Sequence, residues 1–189
     1  MIVQIRGTSG SGKTTVMREV MNALCPFDEW EKEYIDGRRK PLSYKYRQYY
    51  VLGHYEIDCG GCDTIGSAPK VYEQYQVILK NWDGRKACVI LSEGLLLSED
   101  VIWTQKLFEQ SHDVRALFLT TPTDTCLERV TKRQAGRAPV DPERVVRKLT
   151  RRVETIERAR KRLVNARVYC KRASSVQASK IILDWITHA

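Results

Sequence analysis

Residues Gly7 to Thr14 read GTSGSGKT: a glycine, four further residues, then Gly-Lys-Thr. The run before it, IVQIR (2–6), is short and β-branched. The run after it, 13–24, is rich in helix formers with apolar residues at Val16, Val20, Met21 and Leu24, and ends at Cys25-Pro26. A strand, a glycine-rich turn and a helix in that order form a phosphate-binding loop. The glycines let backbone N–H groups turn inward around a β-phosphate, and the helix N-terminus adds its dipole. The expected nucleotide-binding residues are therefore Gly7, Thr8, Ser9, Gly10, Ser11, Gly12, Lys13, Thr14 and Thr15. Lys13 is placed to reach the β/γ oxygens as a point charge and the Thr14 hydroxyl to ligate Mg²⁺, with ATP as the nucleotide.

The rest of the chain continues the alternation. EKEYID (31–36), YYVLGHYE (49–56), ACVILSEG (87–94), VRALFLTT (114–121) and RVYCK (167–171) read as strands. Helical patterns occupy 70–82, with Val71, Tyr75, Ile78, Leu79 and Trp82 on one face, a stretch opened by Ser98, 121–134, a long run from Asp141, and 174–188. Strands that are apolar without period-two alternation, separated by helices, predict an α/β fold with a parallel sheet covered by helices on both faces. No repeat, low-complexity block or linker interrupts 1–189, so one domain is expected. The longest apolar runs fall short of the ~20 residues of a membrane span. The glycine-rich loop begins too early for a signal peptide, and six scattered cysteines suit reduced thiols. These features predict a cytoplasmic protein without a membrane partner.

Phosphate loops serve several chemistries. No Asn-Lys-x-Asp stretch that would read guanine is present, and 189 residues is short for a motor or an AAA-type ATPase. LFLTTPTDTCLERVTKRQAGRAP (117–139) instead resembles the strand–helix–lid segment of nucleoside- and nucleotide-kinase-like proteins. It places Arg129, Arg133 and Arg137 on a short lid, about 129–140, whose arginines would neutralise charge on the nucleotide and on the transferring phosphoryl group. A surface helix with salt bridges is the plainer alternative. In VILSEG, Glu93 ends a strand on the edge where doubly wound sheets bind ligands. There it would hold Mg²⁺ through water or orient the attacking group, unless it caps a helix.

GHYEIDCGGCDTIGS, Gly53 to Ser67, has the composition of a metal clip, a redox pair or a pocket wall. Cys59 and Cys62 have zinc-type internal spacing, but no second pair follows at a usual distance. Thioredoxin-like surroundings are also missing. The stretch sits between a strand and a helix, on the ligand edge, where a kinase needs a carboxylate within reach of the acceptor hydroxyl. Asp58 and Asp63 are the two candidates.

Taken together, GTSGSGKT, LGHYEIDCGGCDTI, LSEG and the arginine lid resemble the bacteriophage 5-hydroxymethyluracil DNA kinases, over Ile2 to about Arg137. The resemblance implies ATP-dependent phosphorylation of the 5-hydroxymethyl group of that base within DNA, in the host cytoplasm. A kinase of free nucleosides, nucleotides or other small metabolites, and a DNA-binding ATPase switch, are the other readings. The charge distribution fits a DNA acceptor, with a solvated arginine-rich helix face as the plainer alternative. The chain carries net +9, yet Arg129–Arg172 has 16 basic and 4 acidic residues, leaving the remainder at −3. The helix expected over 141–165 opens with Asp141-Pro142-Glu143 as cap, first-turn proline and first-turn acid. Its core stripe would be Val145, Leu149, Val153, Ile156 and Leu163. Arg144, Arg147, Lys148, Arg151 and Arg158 then lie off the stripe, available to a polyanion.

Overall fold

The β-branched run forms β1 (Ile2–Arg6) at the centre of a seven-stranded sheet. The others are β2 (Glu31–Glu33), β3 (Ser43–Tyr46), β4 (Tyr49–Leu52), β5 (Val89–Glu93), β6 (Val114–Leu119) and β7 (Tyr169–Ala173), in the order β2-β3-β4-β5-β1-β6-β7. This computed structural model describes residues 1–34, 37–57, 60–83, 87–110, 112–134 and 141–188. Strands β4, β5, β1, β6 and β7 pair in parallel, as the alternation predicts. The β2–β3–β4 edge is antiparallel, so the sheet is mixed. The cause is local: Tyr46 pairs with Tyr49, and a two-residue connection at Arg47-Gln48 is too short for a crossover. β3 itself was not expected from the sequence.

Helices cover both faces. On one, Ile2, Ile90, Ala116 and Phe118 join a cluster with α2 (Ala68–Asn81), α3 (Leu95–Glu99), α4 (Ile102–Glu109) and α6 (Pro142–Asn165). On the other, Val3, Ile5, Leu91 and Leu117 pack against α1 (Lys13–Leu24) and α7 (Ser175–Thr187). Successive residues of β1 and β5 thus serve opposite cores, which is why these strands lack a polar face. α5 (Thr123–Gln134) and α6 share a smaller cluster of Cys126, Val130 and Leu149.

Two helix expectations need correction. Ser98 does not open a helix; it lies inside α3, and Asp100 opens α4 by accepting from the amides of Trp103 (3.2 Å) and Thr104 (3.0 Å). On α6, Asp141 caps as expected, accepting from Arg144 N. Its core stripe, however, runs Leu149, Ile156, Ala159 and Leu163, while Val153 is 39% exposed. The buried run steps by three and four through Ile156, Ala159 and Leu163, and the same alternation carried back to Leu149 passes through Arg152, seven before Ala159. Arg152 is half-buried where Val153 is exposed.

One core holds a charge. Arg6, fully buried on β1, donates to Gln4 Oε1, to Thr104 Oγ1 and to the Asp100 carbonyl, each at 2.6 Å, and lies over the Phe118 ring. Burial lowers its pKa to about 10. The chain leaves β1 toward β4 but crosses from β5 to β6 on the other side of β1. That reversal opens a crevice beyond the carboxyl ends of β1 and β5. Among the described residues no helix is long and apolar enough to cross a membrane.

Candidate active site

α1 begins at Gly12, in left-handed backbone at φ 96°, with no side-chain cap and no acid in its first turn. Its first amides therefore remain available to an anion. In the preceding loop Thr8 Oγ1 and Ser11 Oγ are buried without a hydrogen-bond partner among the described residues. Buried polar atoms are usually satisfied, so these two are exceptions inside the loop. Lys13 Nζ donates to the carbonyls of Gly7 (2.8 Å) and Thr8 (3.0 Å). Burial lowers its pKa, and Glu93 and Asp63 partly oppose that shift.

The loop is gripped from several elements. Gly7 N donates to Ser98 Oγ of α3 (2.9 Å), and Ser98 donates in turn to the Gly94 carbonyl (2.6 Å). The Gly10 carbonyl accepts from Arg129 of α5 (3.0 Å), and a side chain on Gly10 would strike the Cys126 carbonyl. Thr121 holds the Ser11 carbonyl at 2.7 Å. From α6, Arg152 Nη1 donates to Ser9 Oγ at 3.2 Å. Arg152 was absent from the sequence candidates, although the stripe periodicity contains the signal for it.

The loop forms one wall of a cavity of about 470 Å³. Of the expected site residues, Ser9, Gly10, Gly12, Lys13, Thr14, Thr15, Asp63, Glu93, Arg129 and Arg133 all line it. Gly7, Thr8 and Ser11 lie behind, within the loop. Asp58 and Arg137 fall outside the described residues, as does the lid from 135 to 140.

At the centre, Thr14 Oγ1 donates to Glu93 Oε1 at 2.9 Å, joining the two expected Mg²⁺ ligands. Glu93 is 1% exposed. Desolvation pushes its carboxyl up to about 7, against the opposing pull of Lys13 and of the Thr14 hydroxyl. A hydroxyl beside a carboxylate is an all-oxygen donor set suited to a hard cation that keeps waters and phosphate oxygens as its other ligands. No group of three or more His, Cys, Asp or Glu able to hold a metal occurs among the described residues.

The 53–67 stretch forms the facing wall. His54 and Gly61 pair as an isolated bridge, followed by a 3₁₀ turn over Cys62–Thr64. Gly61 has φ 71°, and a side chain there would collide with the Glu93 carboxylate. The glycine thus makes room for an acid of the site itself. Asp63 points its two oxygens at the start of α3: Oδ2 accepts from Leu95 N and Oδ1 from Leu96 N, both at 2.9 Å. Nothing in the spacing of 53–67 announces this capping role. Cys62 is fully buried, its thiol pushed well above the ordinary range, with Sγ 3.5 Å from the Leu52 carbonyl. Arg18 of α1 ties the loop down through the carbonyls of Tyr55 and Ile57, both at 2.8 Å.

Comparison with known proteins agrees with this geometry. A family model described as an AAA domain matches residues 2–156, so chain length is no argument against that broad class. A 5-hmdU DNA kinase of Pseudomonas phage PaMx11 is 36% identical over 75% of this chain and 73% of its own length. A 5-hmdU DNA kinase of Pseudomonas phage M6 is 26% identical over 77% of this chain and 78% of its own length. Among solved structures, a deoxyadenosine kinase from M. mycoides with bound dATP aligns with 99% of each chain at 14% identity. Its TM-score of 0.43 is too low to bear on function.

Proposed function

Because the chain belongs to the 5-hmdU DNA kinase family, we propose that it transfers the γ-phosphoryl group of ATP to the 5-hydroxymethyl oxygen of 5-hydroxymethyluracil in DNA. The observation that carries this reading is the convergence of Lys13, Thr14, Glu93, Asp63 and Arg133 on one cavity.

The roles follow from position. The loop amides and Lys13 receive the β- and γ-phosphates, with Lys13 leaving its carbonyl partners as it does so. Thr14 and Glu93 would hold Mg²⁺, which when bound neutralises charge on the β/γ oxygens. Arg129, already on the Gly10 carbonyl, stands by the nucleotide. Arg133, exposed and facing Lys13 across the cavity, neutralises the equatorial oxygens of the transferring group. Asp63 gives one lone pair of each oxygen to α3 and keeps others for the acceptor hydroxyl. It orients that hydroxyl and takes its proton as the oxygen bonds to the γ-phosphorus and the bond to the β–γ bridging oxygen breaks, releasing ADP.

Turnover on a panel of acceptors with labelled ATP tests the reading. Label should enter DNA containing 5-hydroxymethyluracil, with little on unmodified DNA. ADP release with free phosphate and no labelled acceptor would mark a switch ATPase instead.

A further inference from the structure

A second hollow, of about 540 Å³, opens between the end of α3 and the first half of α6. Five cationic side chains line it, Arg144, Arg147, Lys148, Arg151 and Arg152, against one carboxylate, Glu99. Among the described residues only Arg152 meets that carboxylate, at 3.7 Å; the other four cations have no acidic partner. Farther along the same helix the pattern differs: Arg160 lies on Glu157 at 2.7 Å. Positions 144, 147, 148 and 151 are spaced by three, four and seven, so their like charges share one face and repel. Such an arrangement is relieved by a polyanion. Seven residues of helix span about 10 Å, the rise of roughly three base-pair steps along the duplex axis.

The hollow adjoins the catalytic cavity. Arg152 lines it while donating to Ser9, and Ser9 lines the cavity that holds Lys13 and Glu93. α3 reaches both spaces, with Leu95 on the catalytic cavity and Glu99 on the second.

We infer that this groove binds the sugar–phosphate backbone of the acceptor DNA, gripping phosphates that flank the modified base while that base enters the catalytic cavity. The inference rests on the reading that DNA is the acceptor. Backbone contacts carry no base information, so the groove supplies affinity and register, and the choice of base is left to the catalytic cavity.

The test uses the full chain and its charge-reversed form Arg147→Glu/Arg151→Glu, with ATP and hydroxymethyluracil-containing DNA titrated against salt. The KM for DNA should rise by about tenfold or more, with the KM for ATP little changed. The log–log salt slope should become shallower by about 0.9 for each lost contact on duplex or about 0.7 on single strands. If the double reversal does not fold by circular dichroism, Arg147→Gln/Arg151→Gln replaces it, with the same expectation at smaller size. An unchanged DNA KM and slope in the folded variant, while the wild type phosphorylates modified DNA, overturns the groove and leaves the DNA acceptor standing. A wild type that phosphorylates the free nucleoside at least as well, without salt dependence, overturns the DNA acceptor itself.

Discussion

Glu93 and Lys13 are both buried and each opposes the desolvation of the other's charge, so their protonation should govern how the site works. The Glu93 carboxyl titrates near 7 in the fold against an ordinary 4.5. Its contribution to stability is therefore fully present below about pH 4.5 and is lost as pH rises through 7. The ligand-free protein should lose up to about 3 kcal/mol from this group between those limits, and Glu93→Gln should flatten that part of the pH–stability curve in denaturant titrations. Mg²⁺ binding needs the ionised carboxylate, so Mg²⁺-nucleotide affinity should increase with pH across 7 in the wild type and not in Glu93→Gln. Lys13→Ala should abolish phosphoryl transfer while circular dichroism stays native, since the loop is also held by Ser98, Thr121, Arg129 and Arg152. Near-normal turnover in that variant would contradict the kinase reading. The placement of Lys13, Thr14 and Glu93 on one cavity is legible in the sequence because it depends on local spacing and strand ends. That of Arg6 is not, because nothing in IVQIR announces that its arginine turns into a core lined by Gln4 and Thr104.

At the scale of elements, short α3 is the joint between the phosphate loop, the 53–67 wall and α6. Asp63 caps it from one side and Ser98 fastens it to Gly7 from the other. Asp63→Ala should cost about 1 kcal/mol or more through two unsatisfied amides and should also lower kcat. Asp63→Asn separates the two roles. It should cost less stability than the Ala variant, because its amide oxygen still accepts from one of the two α3 amides while its NH2 group cannot accept from the other, yet lose on the order of 10²-fold in kcat if the carboxylate takes the acceptor proton. An Asn variant with near wild-type kcat would confine Asp63 to holding α3. Arg133→Ala should likewise lower kcat by about 10²-fold or more with little change in stability, because the side chain is exposed on α5 and lines the cavity. The helices were readable from periodicity and caps, Asp141 most plainly. The β3–β4 hairpin was hidden because its turn, Arg47-Gln48, lacks the Asn-Gly or Asp-Gly signature, and Arg47 adopts φ 53° without a glycine.

Across the whole molecule, the alternation of apolar strands with helices made the doubly covered sheet legible before any contact was known. The antiparallel edge turns on one tight local connection, Arg47-Gln48, whose residues do not mark a hairpin. The charge split was equally plain as a count, but its placement was not. Only the fold shows that the unpaired cations of α6 open beside the phosphate loop, so a single surface has the chemistry to hold a polyanion and deliver a base to the cavity. The claim that unites these scales is that the transferred phosphate ends on a base within DNA. The most direct measurement is mass spectrometry of the mononucleotides released by nuclease, without phosphatase, from hydroxymethyluracil-containing DNA after incubation with the protein and γ-¹⁸O-labelled ATP. The expected product is 5-phosphoryloxymethyl-deoxyuridine monophosphate with the labelled phosphate on its base, formed in equal amount to ADP. Unmodified 5-hydroxymethyl-deoxyuridine monophosphate, with the label recovered as inorganic phosphate, would contradict it.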